Sequence, residues 1–162
     1  MPISVGQSLP EAQLLRMGAK GPEQVSVADL ARGRKLVIFG LPGAFTGTCT
    51  TAHVPSFMRT RGGFGAKGVD EIVCISVNDP FVMKAWGEAT SGTAAGISFL
   101  GDAEGAFTRA LGLDFSLPAV GLIGRSKRYA LYAEDGVVQV LHLEESPGTC
   151  EISGGEALLA AI

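Results

Sequence analysis

One cysteine stands where chemistry would place a nucleophile. Cys49 lies near the end of the stretch Leu41-Pro42-Gly43-Ala44-Phe45-Thr46-Gly47-Thr48-Cys49-Thr50-Thr51, directly after the apolar run Lys35 to Gly40. An apolar strand that breaks at Pro-Gly and passes through small residues delivers this sulfur to a helix start, with Thr48, Thr50 and Thr51 as capping candidates. Exposed N–H groups and the positive end of a helix dipole both favour a thiolate at such a position. A lone cysteine after a turn is more commonly a small buried hydrophobe. The small and polar neighbours of Cys49 argue for the nucleophile instead. The other cysteines, Cys74 and Cys150, are scattered, and there is no Cys-x-x-Cys. Three such residues do not make a disulfide scaffold, and two histidines remote from any cysteine pair give no metal-ligand spacing. A reducing intracellular compartment fits this usage.

The elements that would carry these residues alternate along the chain. Residues 1–34 read as an irregular N-terminal extension, with a short strand at Glu11 to Met17, a turn at Gly18 to Glu23 and brief helix at Ser26 to Arg32. Leu36 to Phe39 and Ile72 to Val77 are unbroken apolar runs, the mark of strands covered on both faces. Between them Val54, Phe57 and Met58 give one apolar helix face, with Pro55 expected to kink or delay the helix. Arg59 to Lys67 is a basic, glycine-rich exit. Asp79-Pro80 starts a helix whose inner face would be Phe81, Val82, Ala85 and Trp86. Ile97 to Leu100 is a short strand, and Asp102 caps a helix carrying Ala103, Ala106, Phe107, Ala110 and Leu111 inward. Arg125 to Glu134 and Val137 to Leu143 form a hairpin about Asp135-Gly136. Ser153 and Glu156 match a capping box before a last helix, Ala157 to Ala161.

Strand and helix in alternation, closed by an antiparallel hairpin, predict an α/β three-layer sandwich with a mixed central sheet, and thioredoxin-like topology satisfies the order. With 162 residues and 46% hydrophobic content, one domain over residues 1–162 with a real core is expected. A net charge of -3 and a pI near 5.4 argue against nucleic-acid binding and anionic-membrane attachment. No apolar run approaches the length of a membrane span, and the first residues show no basic and apolar signal pattern.

Several spaced motifs together identify a family. Pro42-Gly43-Ala44-Phe45-Thr46-Gly47-Thr48-Cys49, His53-Val54-Pro55, Cys74 through Met83 and Gly124-Arg125-Ser126-Lys127-Arg128-Tyr129 resemble the type II, peroxiredoxin-5-like (atypical 2-Cys) peroxiredoxins, plant and algal members above all. The resemblance covers essentially the whole chain. It implies a thioredoxin fold and a thiol peroxidase that reduces hydrogen peroxide and alkyl hydroperoxides without metal, haem or other cofactor. Carried to matching positions, it makes Cys49 the peroxidatic nucleophile and Thr46 a hydroxyl beside sulfur and peroxide. Arg125 becomes the cation that favours the thiolate, and Pro42 the shield of the loop. The backbone N–H groups of Gly47, Thr48 and Cys49 would polarise the O–O bond as an oxyanion hole does. His53 has a family counterpart but reads as a structural histidine, and His142 as incidental.

Gly47 departs from the family's Thr-Pro-Thr-Cys and is expected to change loop mobility or rate rather than chemistry. For resolution of the sulfenic acid, Cys74 matches the plant position and ranks slightly first, although it lies in an apolar strand. Cys150, in the turn-rich Ser146-Pro147-Gly148-Thr149-Cys150, falls near the animal-type position. Direct reduction by glutathione and glutaredoxin needs neither, and thioredoxin is the other candidate donor. The family further implies a homodimer, and a soluble location in the cytosol or, with a presequence removed, the chloroplast stroma. A redox-signalling protein without enzymatic activity and a disulfide oxidoreductase are the competing classes. The complete motif opposes the first, and the missing Cys-x-x-Cys the second.

Overall fold

Three apolar runs, Lys35–Gly40 (β3), Glu71–Ser76 (β4) and Ile97–Gly101 (β5), pair in parallel in the middle of the protein. The computed structural model describes residues 1–162. Antiparallel partners extend this centre on both sides: Gln13–Gly18 (β1) and Gly21–Ser26 (β2) beyond β5, and Tyr129–Glu134 (β8) and Val137–Leu143 (β9) beyond β3. The order is β2-β1-β5-β4-β3-β8-β9, a seven-stranded mixed sheet. A separate two-stranded sheet pairs Asp114–Leu117 (β6) with Leu122–Ser126 (β7).

Alternation along the strands builds two cores. Leu36, Ile38, Val73, Ile75 and Leu131 point to the side covered by Val27–Ala31 (α1) and Ala106–Ala110 (α4), where Leu30 and Phe107 meet them. Val37, Phe39, Ile72, Cys74 and Ala130 point to the opposite side, with Phe57 and Phe64 of Val54–Ala66 (α2), Trp86 of Pro80–Ala89 (α3) and Leu158 of Gly155–Ala161 (α5). Phe39 and Phe57 stack with ring centroids 4.1 Å apart. Each such side chain contributes about 1.5–3 kcal/mol on burial. The result is the expected three-layer α/β sandwich, with helices on both faces of a mixed sheet.

Departures from the sequence reading have identifiable causes. The N-terminal segment is not irregular: β1 and β2 form a hairpin, and Leu15 pairs with Gly101 at the edge of β5. β2 contains Pro22 and few apolar residues, so periodicity does not reveal it. The inner face of α3 is Pro80, Met83, Trp86 and Gly87, while Phe81 and Ala85 are exposed. Asp79 does cap it, accepting from the N–H of Val82 at 2.9 Å. Arg125 to Glu134 is two strands, because β7 leaves the main sheet to pair with β6. Ser153 does not cap the last helix: Gly154 is its N-cap without a side-chain bond, and Glu156 pairs with Arg59. The Asp135-Gly136 turn between β8 and β9 forms as read, both residues at positive φ.

Candidate active site

β3 ends at Gly40, and the chain then crosses the sheet edge through buried Leu41, Pro42 and Gly43. Phe45, at φ 65, reverses it. Helix begins at Gly47, and the first intrahelical bond runs from the N–H of Thr50 to the carbonyl of Thr46 at 3.1 Å. Gly47, Thr48 and Cys49 therefore occupy the first turn, where backbone N–H groups have no intrahelical acceptor. From Cys49 to His53 the helix is wider, and Val54 donates to Cys49 five residues back. Pro55 has no N–H to give to the ladder, which accounts for the loosened turn just before it. The expected effect of Pro55 thus appears as a π-turn under the nucleophile rather than a kink.

Two side chains converge on the Cys49 sulfur. Thr46 Oγ1 lies 2.9 Å from Sγ and 2.6 Å from the carbonyl of Gly43. One hydroxyl has one proton, so Thr46 donates to the carbonyl or to the sulfur, and its lone pairs remain free to accept. The cation at the sulfur is Arg128. Its Nη2 donates to Sγ at 3.1 Å and to the Pro147 carbonyl at 2.9 Å, and its Nη1 donates to His53 Nδ1 at 3.0 Å. Cys49 itself is fully buried.

The assignment of the cation to Arg125 is therefore corrected. Arg125 turns its Nη1 to the carbonyl of Pro42 at 3.0 Å and makes no bond to sulfur. Gly43 leaves room for that guanidinium, since a Cβ there would collide with it. Arg125 supports the loop from outside, and Pro42 is buried as its anchor. Arg128 carried a signal in the sequence. It shares parity with Ala130 and Tyr132 of β8, and those residues pack in the core that contains Cys49.

Arg128 is only 2% exposed, and no carboxylate pairs with it. A buried charge without a counter-charge is costly. Among its hydrogen-bond partners, the sulfur alone can carry the opposite charge. His53 is neutral: burial first, and the Arg128 charge second, push its pKa down to about 3, against a weaker opposing bond to Ser153. Because Nδ1 accepts from Arg128, Nε2 holds the proton and donates to the Ser153 carbonyl at 3.0 Å. Its reading as a hydrogen-bonded structural histidine matches this geometry.

The remaining cysteines differ in setting. Cys74 is in the middle of β4, between Phe39 of β3 and Phe99 of β5, and burial raises its pKa further than the neighbouring Cys49 does. Cys150 is half-buried in the 145–153 loop, its pKa raised chiefly by burial. That loop is held against the first turn of the Cys49 helix, because Thr48 Oγ1 donates to the Gly148 carbonyl at 3.0 Å. All three thiols are free.

Comparison with known proteins gives a consistent outcome. The family model described as Redoxin matches residues 4–159. Peroxiredoxin-2C of Oryza sativa subsp. japonica is 47% identical over 162 residues, covering 99% of each chain. Chloroplastic peroxiredoxin-2E-2 of the same plant is 48% identical over 99% of this chain and 72% of its own. Among solved structures, reduced Prx3 of Vibrio vulnificus in complex with H2O2 superposes with a TM-score of 0.91 at 43% identity, covering 98% of each chain.

Proposed function

Because the chain belongs to the redoxin family and is a peroxiredoxin, a thiol peroxidase that reduces peroxide through a cysteine, we propose that Cys49 is that cysteine and that Arg128 and Thr46 act on it. The observation that carries the reading is the convergence of Arg128 Nη2 and Thr46 Oγ1 on one sulfur. In the reaction the Cys49 thiolate attacks the terminal oxygen of a hydroperoxide. An S–O bond forms and the O–O bond breaks, giving Cys49 sulfenic acid and an alkoxide or hydroxide. The leaving oxygen takes up a proton, equal to the one lost by the thiol, and departs as alcohol or water. Sulfur is oxidised by the two electrons that reduce the peroxide. Arg128, fixed by His53 and Pro147, stabilises charge as it passes from sulfur to oxygen. Thr46 accepts from one peroxide oxygen or donates to the other, and the first-turn N–H groups of Gly47, Thr48 and Cys49 face the same developing charge. Hydrogen peroxide and organic hydroperoxides are the substrates.

A thiol condenses with the sulfenic acid, forming a disulfide and releasing water, and two-electron reduction of that disulfide restores the Cys49 thiol. Of the two internal candidates, Cys150 is favoured on accessibility, being half-buried where Cys74 is buried, which reverses the sequence-based order. Its loop can move without breaking a strand pair, whereas Cys74 is fixed by two strand neighbours. Glutathione with glutaredoxin, or thioredoxin, supplies the electrons. Exposed Phe45, Phe81, Leu117, Val120 and Ile123 edge the loop, α3 and the β6–β7 pair. This apolar rim is the surface on which a homodimer would form. No helix is long and apolar enough to cross a membrane. Relatives carry chloroplastic and mitochondrial names, and a cytosolic or stromal location is our reading here. Stopped-flow oxidation by hydrogen peroxide tests the assignment of Cys49: a Cys49→Ser protein that reacts as fast as wild type would overturn it. Peptide mass spectrometry after one equivalent of peroxide then reads whether Cys49 pairs with Cys150, Cys74 or added glutathione.

A further inference from the structure

Glu144 follows β9 and is 7% exposed, yet no cation pairs with it. Its Oε2 accepts four hydrogen bonds: from the N–H groups of Glu151 at 2.8 Å, Ile152 at 2.9 Å and Ser153 at 2.7 Å, and from Ser153 Oγ at 2.7 Å. Its Oε1 accepts from Thr149 Oγ1 at 3.4 Å. Its own N–H donates to the carbonyl of Arg128 at 3.0 Å. Burial works against the charge, but the bonds from Ser153, Glu151 and Ile152 together hold its carboxyl below the ordinary range. One carboxylate therefore ties the end of the 145–153 loop back to its beginning.

The loop so closed supplies three acceptors to the site. The Pro147 carbonyl receives Arg128, the Ser153 carbonyl receives His53, and the Gly148 carbonyl receives Thr48. Besides Pro147, the guanidinium of Arg128 bonds only to His53 and the sulfur. We infer that Glu144 is a positioning residue for the reaction of Cys49: by closing the 145–153 loop it aims Arg128 at the sulfur through Pro147 and through Ser153 and His53. The inference rests on the reading of Cys49 as the nucleophile. Glu144 touches neither sulfur nor the guanidinium, so its effect is transmitted by position. Its charge would by itself oppose the thiolate.

Three variants separate reach from charge. Glu144→Asp keeps the charge but is one methylene short. Glu144→Gln keeps the reach, and its amide oxygen can accept the same bonds. Glu144→Ala removes both. With reduced protein and hydrogen peroxide in stopped flow, Asp and Ala should react about tenfold or more slowly, the scale expected when a catalytic group is slightly misplaced. Gln should stay close to wild type. The pH profile for alkylation of Cys49 by iodoacetamide should move to higher pH in Asp and Ala alone. Folded Asp and Ala proteins with unchanged rate and profile would overturn the inference, as would a Gln protein as slow as Ala. If Ala does not fold, the Asp and Gln pair decides. A Cys49→Ser protein that still reacts at the wild-type rate would instead overturn the reading of the site, whatever Glu144 does.

Discussion

Arg128 reaches the Cys49 sulfur at 3.1 Å, while Arg125, on the same stretch of chain, spends its guanidinium on the Pro42 carbonyl. Two arginines near one site thus have separate tasks. Arg128→Ala should slow oxidation of Cys49 by peroxide about 10²–10³-fold, the scale for losing one preorganised donor. Arg125→Ala loosens only the loop support and should cost far less. Stopped-flow rates for the two proteins check this, and equal losses would reverse the assignment.

Thr46 Oγ1 lies within hydrogen-bond reach of both the sulfur and the Gly43 carbonyl. Thr46→Val keeps the shape and removes the hydroxyl, so the rate should fall about 10²-fold or more. Thr46→Ser keeps the hydroxyl and should retain most activity. A Val protein as fast as Ser would remove Thr46 from the chemistry.

Gly47 stands at the first helical position, with open space where a Cβ would stand and no positive φ. Proline is well suited to a first helical position because its missing N–H has no intrahelical acceptor there. Gly47→Pro should therefore raise stability by about 0.4–1 kcal/mol, mainly by restricting the unfolded chain. Urea unfolding reads the change, and a loss of stability would show that the loop needs the glycine.

Acid should weaken the fold through His53. Its pKa is depressed from 6.5 to about 3 in the folded protein, so the unfolded chain takes up a proton first. Stability from this residue is whole above pH 6.5 and falls as pH drops toward about 3, with a ceiling of ~5 kcal/mol. The depressed Glu144 carboxyl adds a loss of the same sign at lower pH. Thermal melts across this range should show the slope, and His53→Gln should flatten its upper part. An unchanged slope would place the acid sensitivity elsewhere.

The apolar rim gives a test of assembly. Val120→Glu and Ile123→Glu, both at exposed positions, should convert a dimer to monomer in sedimentation. A wild-type protein that sediments as a monomer at all concentrations would sink the proposed homodimer.

Much of this architecture is legible in the order of residues alone. β3, β4 and β5 announce themselves as unbroken apolar runs, and Asp79-Pro80 and Asp135-Gly136 carry their own local geometry. Cys49 and Thr46 are neighbours in sequence, so their spacing translates directly into contact. Arg128 is harder to find. Its link to Cys49 depends on strand pairing across the chain, and two arginines in one short motif compete for the role. Reading the alternation of β8 back by two residues, from Tyr132 and Ala130 to Arg128, chooses correctly. The task of Ser153 is hidden for a similar reason. Its local pattern promises a helix cap, but a distant carboxylate, Glu144, holds it more strongly.

Gly40 and Tyr129 are register partners on β3 and β8, and the Tyr129 ring fills the space a side chain at Gly40 would need. The loop bearing Cys49 leaves from one partner, and Arg128 directly precedes the other. Cation and sulfur are thus carried by segments that leave the same rung, Gly40 with Tyr129, in opposite chain directions. The 3.1 Å separation of Arg128 from the sulfur therefore depends on the register of β3 against β8.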